Sequence, residues 1–145
     1  MVNAKRNLFL SITGLVLIVS VIAWYMYNKE GPDIENASAE KVAATDLYDS
    51  FVRDSVGAKK MYMEKILEVS GEVIQVNKNQ ELQAVILVRT YINGASLNCT
   101  MEGPAGDIKK GDKVLIKGIC KGMGPGDPDL GILPDVYLTR CYIVR

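Results

Sequence analysis

Lys109 to Gly122, "KKGDKVLIKGICKG", is the stretch on which the fold turns. It carries five lysines against one acid, Asp112. In a strand, Val114, Ile116, Gly118 and Cys120 point one way and Lys113, Lys117 and Lys121 the other. The first set is apolar and small, as a barrel interior requires. The lysines then form a solvated face that blocks unwanted edge pairing. A strand that grips single-stranded nucleic acid would interleave aromatic rings for base stacking, and this one has none.

The same alternation recurs upstream. "ILEVSGEVIQV" sets Leu67, Val69, Gly71 and Val73 against Glu68, Ser70 and Glu72. Leu67-x-Val69-x-Gly71 matches Val114-x-Ile116-x-Gly118 in form. A glycine in mid-strand permits the bulge or sharp coil that a small barrel needs at a corner. "LQAVILVRTY" reads as a second strand, "ASLNCTM" as a third and "DVYLTRCYIVR" as a fifth after the lysine strand. Turns are expected at "NKNQE" and at Asn93-Gly94. Five strands without βαβ spacing predict a small antiparallel barrel of the OB type.

An amphipathic helix precedes the strands. Thr45 is placed as its N-cap and Asp46 in its first turn, where a carboxylate favours the helix dipole. Leu47, Phe51, Ala58 and Tyr62 recur at helical spacing, and Gly57 is the candidate break. Residues 28–44, with Gly31-Pro32, read as a polar linker.

Leu8 to Tyr27 is a run of twenty residues without a charge. As a helix it would span roughly 30 Å, the thickness of a bilayer core. Trp24, Tyr25 and Tyr27 cluster at one end, where amphipathic rings favour the headgroup layer. Residues 8–27 are therefore expected to be a single transmembrane anchor. A cleaved leader ending at Val21-Ile22-Ala23 is the alternative. Lys5 and Arg6 predict residues 1–7 in the cytoplasm and the rest in the periplasm or otherwise outside. The fold class is thus mainly β with one N-terminal amphipathic helix: a five-stranded OB-fold barrel, with its helix over 45–145, behind a single transmembrane helix.

Composition excludes several chemistries. The chain has no histidine, so His-dependent nucleophiles and His-based zinc sites are absent. No acid occurs before Glu30, so residues 28–145 keep 15 basic and 17 acidic side chains. That slight excess of acid argues against a general phosphate-binding surface. No paired-carboxylate, metal or nucleophile constellation emerges. An enzyme, a cofactor and a metal are therefore not expected.

The residues also resemble a known group. Thr45-x-Leu47-Tyr48-x-x-Phe51 and Tyr62-x-x-Lys65 lead into Val69-x-Gly71. Cys99 and Gly111-Asp112-x-Val114-x-Ile116-Lys117-Gly118-x-Cys120-x-Gly122 follow. Asp135-Val136-x-Leu138-x-x-Cys141-x-Ile143-Val144 closes the pattern. Over residues 42–145 the chain resembles the tRNA_anti-like group of small exported bacterial OB-fold proteins. The resemblance implies the fold and no particular activity. The loop from Met123 to Pro134 is longer than that pattern.

OB folds bind ligands mainly on their second and third strands and adjoining loops. On that surface the candidates are Arg89, Tyr91, Asn98 and Tyr137. Two tyrosines and one arginine make a thin platform, so nucleic acid is the alternative ligand. An envelope protein or a glycan is the expected one. The three cysteines fall inside strands, and buried thiols or a structural disulfide are both open. Cys99 and Cys141 lie on strands that neighbour each other in an OB barrel, so they are the candidate pair. In the long loop, Asp127, Asp129 and Asp135 lack EF-hand spacing and read as solvated. Leu130, Ile132 and Leu133 are either an exposed contact or a flap over the barrel end.

Overall fold

The computed structural model describes residues 2–28, 31 and 33–144, with side chains from residue 12 onward. Two compact units result, Met1–Pro32 and Asp33–Arg145. In the first, α1 runs Val2–Asn28. From Ile12 to Asn28 every side chain on it is exposed, Leu15 by 64% and Trp24 by 68% among them. Among the described residues no helix is long and apolar enough to cross a membrane. The side chains of Lys5, Arg6, Lys29 and Glu30, on which the expected orientation rests, lie outside the described residues, as does Pro32.

The second unit is a closed barrel. Its strands are β1 (Glu40–Ala43), β2 (Ile66–Lys78), β3 (Ala84–Arg89), β4 (Ser96–Met101), β5 (Lys113–Met123) and β6 (Val136–Ile143). Their order is β1-β2-β3-β4-β6-β5, and β2 also pairs β5. Five strands thus close on themselves as expected, but the barrel is not antiparallel throughout, because β4 and β6 pair in parallel. β1 is an addition outside the ring, parallel to β2 with Val42 opposite Val69.

That strand corrects the linker expected over 28–44. Ile34 is 1% exposed, and an Asx turn at Asp33 orders the segment through its carboxylate and Asn36. Those hydrogen bonds hold the Asp33 carboxyl below its usual range. A polar composition hid a segment whose one isoleucine packs and whose backbone pairs.

The lysine strand sits where its alternation puts it. Ile116, Gly118 and Cys120 are buried. Its lysines are not an edge guard, however, because closure gives β5 a partner on both sides. Lys117 instead donates to the carbonyls of Glu35 and Ala37, at 3.0 and 2.9 Å. It straps residues 33–39 to the barrel wall. Lys121 pairs with Glu64 at 2.9 Å. Lys117→Met should leave global stability within about 1 kcal/mol, since the freed carbonyls can bond water. Amide hydrogen exchange over residues 34–40 should accelerate, and an unchanged rate would mean that Lys117 does not hold the strap.

Both expected corner glycines are close approaches. A Cβ on Gly71 would collide with the Val88 side chain, and one on Gly118 would lie 2.5 Å from the Cys141 sulfur. Opposite Gly118 the β5–β6 register slips between Lys117 and Ile119, so β6 carries a bulge there. Arg140 occupies it at φ 53°.

α2 (Ala44–Arg53) and α3 (Ser55–Tyr62) add the helical layer. Ala44, Leu47, Tyr48 and Phe51, at spacings of three, four and seven, are buried in the same core as the barrel interior. The N-cap is Ala43 rather than Thr45, without a side-chain cap, because β1 runs directly into the helix. The break falls at Asp54 rather than Gly57. Asp54 ends α2 and caps α3 by accepting from Gly57 N at 2.9 Å. A Cβ on Gly57 would strike that carboxylate, so the glycine serves the cap.

Tyr48 ties this layer to the long loop. Its hydroxyl donates to Pro134 O at 2.9 Å. Burial, and next the charge of Asp135, push its pKa up. The fold therefore favours the protonated phenol. Stability from this group is complete below the ordinary tyrosine value of 10.0 and falls as pH rises above it. Urea midpoints measured on the alkaline side should decline with pH, and less steeply in Tyr48→Phe. Equal slopes would remove Tyr48 as the cause.

Candidate functional site

The outer face of β3, β4 and β6 is where the four sequence candidates were placed. Side chains alternate there, so Leu87, Asn98 and Tyr137 stand abreast on three neighbouring strands. Asn98 and Tyr137 are thus brought together. The Tyr137 ring lies over Gly124, where a Cβ would come within 2.6 Å of it. Arg89 is paired with Ser96, two residues further along β4.

Arg89 is half exposed and already has an acid beside it. Its guanidinium bonds Glu72 on β2 at 3.0 Å. Tyr91 is also committed elsewhere. It packs edge-on against Tyr48 of α2, centroids 5.9 Å apart at 73°. Its phenol is pushed up by burial and next by a hydrogen bond to Asp49. Asn98 and the Tyr137 ring are the two candidates not drawn into such contacts among the described residues. Sequence spacing could place these residues on a common surface but could not see their partners, which come from β2 and α2.

The long loop is ordered. Asp127 and Ile132 form a β-bridge around the 3₁₀ turn Pro128–Leu130, and Asp127 Oδ1 accepts from Leu130 N at 3.2 Å. Asp135 accepts from Ser96 N at 2.7 Å and so fastens the loop to β4. Asp127 and Asp135 are thus spent on backbone, and no group of acids or cysteines among the described residues could hold a metal ion. Leu130 and Ile132 stand 72% and 55% exposed, so the loop tip does not fold back over the barrel.

All three cysteines are buried free thiols. The strand neighbours Cys99 and Cys141 do meet, but through a thiol hydrogen bond rather than the candidate disulfide. That bond, then burial, raises the Cys141 pKa, and burial raises that of Cys120. For Cys120 and Cys141 the protonated thiol is therefore favoured.

A well-formed pocket lies away from the expected face. It measures about 430 Å³ and is lined by Glu35, Gly103, Pro104, Lys117, Tyr142, Ile143 and Val144. One wall is the strap and the other is the β5–β6 end of the barrel. Tyr142 is set against Gly103, where a Cβ would lie 2.7 Å from the ring. Its phenol is pushed up by burial and by a hydrogen bond to Glu102, whose carboxylate also holds Arg140 at 2.8 Å. Lys117, Ile143 and Val144 were read from the sequence only as parts of their strands, and Glu35 and Tyr142 carried no signal, because the pocket lies between segments distant in sequence.

The family model described as tRNA_anti-like matches residues 1–130. No curated protein matches the chain. Among solved structures, it is similar to a protein described as an aspartyl-tRNA synthetase from Leishmania major Friedlin. That likeness has 9% identity and a TM-score of 0.43, over 86% of this chain and 25% of the other. The chain therefore spans about a quarter of that protein's length. With the match running from residue 1 to residue 130 and a closed five-stranded barrel behind it, the chain belongs to the tRNA_anti-like family.

Proposed function

We propose that the protein is a non-catalytic binding module held at a membrane by α1, with its barrel outside the cytoplasm and a protein or glycan as ligand. The observation that carries this reading is α1 itself. Its side chains from Ile12 to Tyr27 are almost all apolar and exposed on every face, Tyr27 by 89%. A helix apolar all round needs either a protein core or lipid around it. The described side chains cover about 25 Å of helix, and the sequence continues without charge back to Leu8, which completes a bilayer span.

The barrel supports binding rather than catalysis. Its thiols are buried, and among the described residues its carboxylates and thiols form no cluster that could hold a metal ion. Nucleic acid is the weaker reading, since residues 28–145 carry 17 acidic against 15 basic side chains and Arg53, Arg89, Lys121 and Arg140 each have an acid within 3.0 Å. Neutralised cations release few counterions on binding a phosphate backbone.

Alkaline carbonate extraction of bacterial membranes tests the anchor. The full chain should stay in the pellet, and a chain lacking residues 2–28 should move to the supernatant. Release of the full chain would end the anchoring reading. In spheroplasts, added protease should digest residues 28–145, and complete protection would reverse the orientation. A thymine oligonucleotide bound tightly, with affinity falling steeply as salt rises, would replace protein or glycan with nucleic acid.

A further inference from the structure

We infer that the pocket between the strap and the β5–β6 end of the barrel is a binding site for a neutral carbohydrate. This rests on the binding-module reading above and names the ligand class of one site within it. The volume, about 430 Å³, falls in the range that holds one small ligand, roughly 300–1,000 Å³.

The chemistry of the walls selects the ligand. Tyr142 supplies an aromatic wall, and Pro104, Ile143 and Val144 extend it with apolar surface. Sugar rings present such a wall with a face of C–H groups and a rim of hydroxyls. Glu35 offers a carboxylate acceptor that holds no hydrogen bond or ion pair among the described residues. Lys117 has three N–H donors and spends two on the carbonyls of Glu35 and Ala37, which leaves one for a hydroxyl. Its positive charge and the negative charge of Glu35 offset each other in the same pocket. A phosphate or free carboxylate would meet Glu35 as well as Lys117, so an anion gains little there. A hydroxyl can donate to the one and accept from the other.

The strap makes the site conditional. Glu35 lines the pocket only because Ile34 is buried and Lys117 holds the backbone on either side of Asn36. Ligand in the pocket would therefore keep the strap closed.

The test is an NMR titration of the full chain in a zwitterionic detergent without a sugar headgroup. The probes are chitobiose and maltotriose, with inorganic phosphate as the anion control. One of the sugars should shift the amides of Gly103, Tyr142 and Val144 saturably, and slow hydrogen exchange across residues 34–40. Glu35→Ala, on the exposed strap, should weaken binding about fivefold through loss of one hydrogen bond. Tyr142→Ala should weaken it further, and Tyr137→Ala should leave it unchanged. If Tyr142→Ala fails to fold, Glu35→Ala alone decides. Shifts centred on Asn98 and Tyr137 would sink this site while sparing the binding-module reading. No saturable shift with either sugar up to about 20 mM, a concentration that would detect even very weak binding, would overturn the proposal. Tighter binding of phosphate at the same amides would also overturn it.

Discussion

Gly118→Val is expected to destabilise the barrel by about 3 kcal/mol or more, the upper end of what overpacking a core costs. Backbone conformation is not the reason. Gly118 has no positive φ, and valine is the better strand former. The cost is steric. A Cβ there would sit 2.5 Å from Cys141 Sγ and 3.2 Å from the Thr139 carbonyl oxygen. Neither can retreat easily, since Cys141 is 0% exposed and hydrogen-bonded to Cys99, and Thr139 belongs to β6 beside the bulge. Urea unfolding under reducing conditions measures the loss. The steric account makes a second demand. Gly118→Ala combined with Cys141→Ala should be less destabilised than the two single losses added together, because removal of the sulfur opens the space that the new methyl needs. Additive losses would show that the glycine is required for some other reason.

Phe51→Ala should cost about 3–5 kcal/mol, as truncation of a buried aromatic does. Phe51 is 1% exposed, its ring lies 6.4 Å from that of Tyr62, and its edge would touch a Cβ on Gly122 of β5. It links both short helices to the barrel, so its loss leaves a cavity that no single element can collapse into. Val52→Ala, one residue on and 49% exposed, should cost under about 0.5 kcal/mol. A loss below 1 kcal/mol for Phe51→Ala would mean that the helical layer is not part of the cooperative core.

Much of this architecture was legible in advance, for a definable reason. The alternation in Leu67 to Val73 and in Val114 to Cys120 has a period of two, which only a strand with one buried face imposes. All five barrel strands were placed to within a few residues. The spacing of Leu47, Tyr48 and Phe51 carried the helix in the same way. Where the reading missed, the deciding partner was distant or the signal was short. β1 is four residues long and is a strand only because β2 lies beside it. The helix break went to Asp54 because a capping carboxylate outweighed the low helix propensity of Gly57.

The candidate site was less legible than the fold. Arg89 and Tyr91 have the residue types of a ligand platform, and both are already engaged, by Glu72 and by Tyr48. Those partners lie 17 and 43 positions away in sequence, beyond any local pattern. Glu35 and Lys117, 82 positions apart, were read as linker and solvated face. They meet in one pocket.

The sequence by itself determined which residues face inward, that five strands and a helix share one core, and that the N-terminal run is apolar throughout. These are local properties, set by side-chain chemistry at a fixed repeat. Only the tertiary structure decided which surface remains open. Closure gives β5 two neighbours and turns Lys117 from an edge guard into the anchor of a strap. A side chain is available to a ligand only after its intramolecular partners are settled, and those are fixed by pairing across the whole barrel.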